Sequence, residues 1–202
     1  MNNPSSRTAL LAAVSASLIA CSAAAPAEEQ GAPAAAPAAA TAQGGLPFAV
    51  TPVADLDAPW ALAFLPDGRM LVTEKQGQML LLSADGKQRQ TVATITVDAA
   101  GQGGLMDVVP APDFATSRRV YFSYSAAGEG GKHVILARGR LRPDGGNAGG
   151  ERLGEIEAIY RATPLVEGNG HYSGRIAFSP DGRYLFFTNG DRQKFTPAQE
   201  KT

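Results

Sequence analysis

Ala63-Phe64-Leu65-Pro66-Asp67-Gly68-Arg69-Met70-Leu71 returns later in the chain as Ala177-Phe178-Ser179-Pro180-Asp181-Gly182-Arg183-Tyr184-Leu185. Each copy reads as an apolar strand, a Pro-Asp-Gly turn and a second strand. Proline presets φ for the first turn position, and glycine accepts the positive φ that closes it. A degenerate third copy, Val108-Val109-Pro110-Ala111-Pro112-Asp113-Phe114, leads into Arg119-Val120-Tyr121-Phe122-Ser123. A further turn, Ser83-Ala84-Asp85-Gly86-Lys87, joins another pair of strands. Irregularly spaced copies of one antiparallel unit predict the blades of a β-propeller with inserted loops. A single blade exposes a hydrophobic face, and stacking buries it. A sandwich or an open antiparallel sheet uses the same elements and is the alternative.

Outward from the turns, short apolar or alternating runs predict strands over 61–64, 70–73, 79–83, 105–109, 120–124, 133–141, 156–162, 176–178 and 184–188. Residues 88–97 read as a strand with its approach. No stretch after Pro47 has a sustained helical period, so the fold class is all-β. A propeller ring takes at least about four blades. The region 47–202 holds two and most of a third, so it is expected to be an incomplete propeller domain, the front part of a longer protein or a truncated reading frame.

The N-terminal part has a different composition. Arg7 precedes an apolar run over 9–20, too short to span a bilayer, which reads as an export signal. It ends Leu18-Ile19-Ala20-Cys21, which resembles a bacterial lipoprotein processing site. Residues 1–21 are then a lipoprotein signal with its lipid-bearing Cys21. An ordinary secretory signal is the alternative. Cys21 is the only cysteine, so no intrachain disulfide can form. Ser22 rather than aspartate follows it, which by the same resemblance points to the outer membrane, facing the periplasm. Residues 22–46 are rich in Ala, Pro and Gly without aromatics, and Pro26, Pro33 and Pro37 interrupt helix; they read as a flexible tether.

The charge balance is 18 Lys+Arg against 19 Asp+Glu, a net charge of -1, with no basic run to follow a phosphate backbone. Nucleic-acid binding is therefore excluded.

The segment that invites chemistry is Gly168-Asn169-Gly170-His171-Tyr172-Ser173-Gly174-Arg175, just before a strand. His171 is one of two histidines. Imidazole exchanges a proton near neutrality, which suits a general base, and the glycines give close access. The bland reading is a polar surface residue. His133 opens a strand and reads as structural, and two distant histidines without a cysteine partner make no zinc signature. A second segment, Gly101-Gln102-Gly103-Gly104-Leu105-Met106-Asp107-Val108, places Gln102 in a glycine-rich loop before a strand. Its amide offers donor and acceptor to a hydroxyl-rich ligand, although a plain glycine turn reads the same way. No helix pattern follows, so this is not a dinucleotide fingerprint. Asp107 either orients a neighbour or caps a turn. Asp191 reads as holding a turn or a ligand loop, with the structural use favoured. Trp60 reads as packing, and Arg175 as a partner of Asp191 or Asp107. Glu151, Glu155 and Glu157 lack calcium-loop spacing.

Pro59-Trp60-Ala61-Leu62-Ala63-Phe64-Leu65-Pro66-Asp67-Gly68, the 101–108 segment, Pro112-Asp113-Phe114 and His171-Tyr172-Ser173-Gly174-Arg175 occur together in one order. In that combination the chain resembles the N-terminal part of the soluble aldose sugar dehydrogenases dependent on pyrroloquinoline quinone (PQQ), in the glucose/sorbosone dehydrogenase family. The resemblance implies a six-bladed propeller of four-stranded antiparallel blades, with cofactor and sugar bound in the wide mouth. It implies that His171 takes the proton of the anomeric hydroxyl while hydride passes to the quinone, giving a lactone, and that Gln102 contacts the sugar. By the same resemblance Gln102 and His171 adjoin PQQ, calcium supports the quinone, and an external acceptor takes the electrons outside the cytoplasm. Sugar-binding relatives typically carry Asp or Asn where this chain has Gly170; Asn169, one place earlier, is the substitute candidate for the substrate. The arginine-asparagine segment, the quinone clamp and the calcium ligands are expected beyond Thr202, so no metal ligand is assigned here. A calcium-dependent lactone hydrolase on the same scaffold and a non-catalytic envelope binding protein are the alternative functions.

Overall fold

The two Pro-Asp-Gly copies close in the same way. The Gly68 N–H donates to the Leu65 carbonyl at 2.9 Å and the Gly182 N–H to the Ser179 carbonyl at 2.8 Å. The two glycines take φ of 85° and 69°. Asp67 and Asp181 each accept the N–H two residues on, from Arg69 and Arg183, at 3.1 Å. In this computed structural model, which describes residues 48–144, 150–196 and 199, both turns join the first strand of a sheet to its second. The signal expected over 1–21 with Cys21, and the tether over 22–46, lie outside the described residues.

The first sheet runs β1 (Pro59–Phe64), β2 (Met70–Glu74), β3 (Gln78–Leu82) and β4 (Arg89–Thr94). The second runs β5 (Leu105–Pro110), β6 (Arg119–Gly128), β7 (Gly131–Pro143) and β8 (Glu151–Arg161). A third pairs β9 (Ser173–Phe178) with β10 (Leu185–Asn189). All pairings are antiparallel between strands adjacent in sequence. The chain is thus an all-β succession of propeller blades, two of them four-stranded and the third two-stranded among the described residues.

Two local departures from the sequence reading have physical causes. The degenerate copy also lies between the first and second strands of its sheet, but no glycine follows Asp113. The chain instead makes one helical turn, α1 (Phe114–Ser117), and Arg118 takes the left-handed conformation at φ 56°. Its guanidinium sits 4.8 Å over the buried Phe114 ring. Strands β7 and β8 run longer than predicted because a cross-strand charge pair rather than apolar alternation joins their added ends: Arg142 pairs with Glu155, which also meets Arg140. Inside the predicted spans Arg138 pairs with Glu157 at 2.9 Å.

The core lies between the sheets. Leu71, Met79 and Leu81 of the first sheet pack with Leu105, Val108, Val120, Phe122 and Leu141 of the second. Each such side chain contributes about 1.5–3 kcal/mol by leaving water. Met106, Val134 and Tyr172, with Trp60 and Phe187, make a second cluster that ties in the third sheet. The first strands stand side by side, β1 against β5 and β5 against β9.

Buried polar groups stitch these seams. Thr73 Oγ1 donates to the Met106 carbonyl at 2.5 Å and accepts the Ala61 N–H at 3.1 Å. Asp107, 4% exposed, accepts the Ile176 N–H at 2.8 Å, Arg175 at 3.1 Å and the Val108 N–H at 3.0 Å. Ser123 Oγ donates to the Gly174 carbonyl at 2.6 Å and accepts the Asp107 N–H at 3.1 Å. Arg175 therefore pairs with Asp107 and not Asp191. No helix among the described residues is long and apolar enough to cross a membrane.

Candidate active site

Antiparallel alternation brings the segments before β5 and β9 and the segment after β10 to one end of the sheets, away from the Pro-Asp-Gly turns. The segment before β5 is held on several sides. Lys75 Nζ donates to the Gly101 carbonyl at 2.7 Å, and the Gly104 N–H donates to Ser125 Oγ at 2.7 Å. The Gln102 N–H donates to the Asn169 carbonyl at 2.7 Å, which joins this loop to the His171 loop of the next sheet. Gly101, at φ 58°, must be glycine: a Cβ there would fall on the Asn169 backbone.

His171 sits at φ 48°. Its N–H donates to Gln102 Oε1 at 2.8 Å. A backbone N–H can only donate, so this bond fixes which end of the amide is oxygen. The Gln102 NH2 is left as a pair of donors.

His171 Nδ1 lies 3.3 Å from Asp191 Oδ1. Asp191 also accepts the Gln193 N–H on Oδ1 at 2.9 Å and the Phe195 N–H on Oδ2 at 3.0 Å. The Gln193 hydrogen bond, with smaller help from His171 and Phe195, outweighs desolvation and holds the Asp191 carboxyl below its usual range. An ionised carboxylate only accepts, so Nδ1 carries the hydrogen, and in the neutral ring the lone pair is on Nε2. The His171 side chain is 52% exposed. That arrangement equips a half-open imidazole to receive a proton at Nε2.

A recess of about 310 Å³ is lined by Trp60, Gln102, Met106, Tyr172 and Ser173. His171 connects to it through Gln102. Trp60 packs as the sequence predicted and also forms a wall, with the Arg175 guanidinium 4.4 Å from its ring centroid.

Asn169 braces the loops. Its Oδ1 accepts Lys132 Nζ at 2.6 Å, and Lys132 pairs with Asp98 at 2.7 Å. Gly170 is buried, and the space a side chain there would take is bordered by the amides of Gln193 and Gln102. His133 is engaged elsewhere, with Nδ1 3.2 Å from the Ala162 carbonyl.

Five residues of the two facing loops, His171, Ser173, Arg192, Gln193 and Phe195, have positive φ without being glycine. Such conformations cost about 1 kcal/mol or more each and persist only where surroundings enforce them. Two features here were missed from the sequence. One is the link between Asp191 and His171. Its signal lay in the hairpin: Asn189 pairs with Ser173, so the residues just beyond must meet. The other is Arg192, which is buried in the loop and donates to the His171 carbonyl at 2.9 Å.

With this geometry in view, comparison with known proteins is informative. Residues 56–202 match the family model described as Glucose / Sorbosone dehydrogenase. The chain is 39% identical over 148 residues to the aldose sugar dehydrogenase YliI of Escherichia coli (strain K12), covering 72% of this chain and 38% of that protein. A solved glucose dehydrogenase is similar at 40% identity and TM-score 0.64, over 72% of this chain and 41% of its own. The PQQ-bound form of an aldose sugar dehydrogenase from Streptomyces coelicolor is similar at 27% identity and TM-score 0.59, over 73% of this chain and 42% of its own. The chain spans between 33% and 38% of the length of the curated relatives it matches.

Proposed function

The chain belongs to the glucose/sorbosone dehydrogenase family, and on that footing we propose that the whole protein oxidises aldose sugars at the anomeric carbon to lactones, with PQQ as the hydride acceptor. The observation that carries this reading is the double fixing of His171, through Gln102 on its backbone N–H and Asp191 on Nδ1. That pattern leaves Nε2 as a proton acceptor and the Gln102 NH2 as a pair of donors.

The residues present suit a flat ring system with polar edges. Trp60, Met106 and Tyr172 give the recess apolar walls, and the Gln102 NH2 has no hydrogen-bond partner among the described residues. Gln102 and His171 would hold the quinone and the sugar at this edge. When bound, the quinone supplies a two-electron acceptor for the hydride leaving the anomeric carbon. His171 Nε2 takes the proton of the anomeric hydroxyl, which raises electron density on that oxygen and assists hydride departure. The C–O bond becomes the lactone carbonyl, and an external acceptor would be needed to take up the electron pair. Asn169, with Oδ1 already held by Lys132, keeps its amide N–H groups for a sugar hydroxyl. The family resemblance brings calcium with it, but no group of three His, Cys, Asp or Glu converges among the described residues, and no step is assigned to the ion.

The same proposal puts the domain on the periplasmic side of the envelope, held at the outer membrane by lipid on Cys21 through the 22–46 tether. The sequence Leu18-Ile19-Ala20-Cys21 supports it.

The test uses the intact gene product, incubated with PQQ and calcium and assayed for aldose-dependent dye reduction. Activity lost in His171→Ala, with native thermal unfolding and quinone uptake, is the expected result. Activity retained in that variant rejects the assigned base. Lactone opening without quinone would instead favour a hydrolase.

A further inference from the structure

Arg192 is 3% exposed, in a loop where a charged residue would ordinarily face water. Its Nη1 donates to two backbone carbonyls, of His171 and Gly190, each at 2.9 Å. Nη2 reaches Asn189 Oδ1 at 3.5 Å. The guanidinium lies 4.4 Å from the centroid of the Tyr172 ring. Its Nε has no hydrogen-bond partner among the described residues. Asp191, the next residue back, directs its carboxylate to the N–H groups of Gln193 and Phe195 and to His171.

A cation removed from water for carbonyl partners and one ring face is an expensive way to fill space. Burial accordingly pushes its pKa down. What the arrangement secures is geometry. One planar group grips the carbonyl of residue 171, the carbonyl of Gly190 and the ring of Tyr172, which together define how the two loops meet. The same loops contain His171 at φ 48°, Arg192 at φ 55° and Gln193 at φ 65°. Gly190 approaches so closely that a Cβ there would fall on the His171 carbonyl.

We propose that Arg192 is a positioning residue for His171, fixing the backbone of residue 171 and the Asp191 loop together so that the imidazole meets its substrate in one direction. The proposal rests on the reading of His171 as the base. Arg192 touches neither sugar nor quinone in it; misplacement of the imidazole by a fraction of its reach is the whole effect.

The experiment is done on the intact gene product with PQQ and calcium, comparing Arg192→Met, Arg192→Gln and Arg192→Lys. In Arg192→Met, kcat falls by about tenfold or more, while the aldose KM and the quinone affinity change by less than about threefold. Arg192→Lys, which keeps a cation and donors, recovers part of the loss. Amide hydrogen exchange, read by mass spectrometry without substrate, speeds up by about tenfold over 171–174 and 189–193 in Arg192→Met while β5 and β6 keep their protection. Native kcat together with native exchange in Arg192→Met overturns the proposal. If that variant does not fold, Arg192→Gln is read in its place by the same criteria. Faster exchange in a protein whose His171→Ala form is fully active leaves Arg192 holding the loop and rejects the catalytic reading of His171 instead.

Discussion

Asp191 and His171 face each other across the two loops that flank the β9–β10 hairpin, with Oδ1 3.3 Å from Nδ1. The pairing assigns the imidazole hydrogen to Nδ1 and sets the ring's orientation. Asp191→Asn keeps the shape and an oxygen toward Nδ1, where the Gln193 N–H also points, but it removes the negative charge beside the imidazole and sets its NH2 against the Phe195 N–H. Turnover is expected to fall by about 10²-fold, within the range attributed to general base catalysis, with quinone affinity unchanged. Stopped-flow reduction of the bound quinone by aldose measures it.

Acidification acts on the same carboxylate. Its native pKa is depressed below the usual 3.8, chiefly by the Gln193 N–H. A depressed carboxylate contributes stability that is complete above its unfolded value and is lost as pH falls through the native one. The 189–195 loop should therefore keep constant exchange protection from neutrality down to about pH 5 and lose it only below 3.8. Protection lost already near pH 6 would mean that another group holds the loop.

Gln102 is predicted to serve its ligand through the NH2 donors, because its oxygen already accepts the His171 N–H. Gln102→Glu preserves that acceptor and removes both donors, so the aldose KM should rise by about tenfold or more, the loss of one to two hydrogen bonds, without loss of thermal stability. Gln102→Leu removes the support of His171 as well and should lower kcat in addition. Equal KM values for the wild type and Gln102→Glu would show that the amide nitrogen meets no ligand.

Gly190→Ala tests the close approach of the two loops. The new Cβ would fall on the His171 carbonyl, so backbone must shift. The expected cost is about 1–3 kcal/mol in urea unfolding, accompanied by loss of activity. Gly130→Ala, where a Cβ meets nothing within 4 Å but φ is 86°, supplies the comparison for strain without collision.

Cys21→Ser should abolish metabolic labelling with palmitate and release the protein from the membrane fraction into the periplasm. Palmitate retained by the variant would refute the lipid anchor on this residue.

The blade order was legible in the chain because Pro-Asp-Gly is chemically committed: proline and glycine permit one turn and little else. The ends of β7 and β8 were not, since Arg142 and Glu155, which lie just beyond the predicted strands, read as solvated loop until they are seen to pair. His171 stood out by rarity and by its glycine-flanked position. Its nearness to Gln102 came only from resemblance to a family, because 69 residues separate them and no local pattern spans two sheets. Arg192 was invisible for a different reason. A charge in a polar loop signals exposure, and only the packing of Tyr172 beneath it reverses that expectation.

The bonds of Asp107 and Ser123 to β9 have a consequence for how such a pocket can be tuned. The His171 imidazole and the Gln102 amide ride on neighbouring sheets, so their spacing follows the angular pitch from one inner strand to the next, and neither loop sets it alone. Substitutions far down a seam can therefore act like a change of gauge, widening or narrowing the gap offered to a ligand while every residue that lines it stays the same.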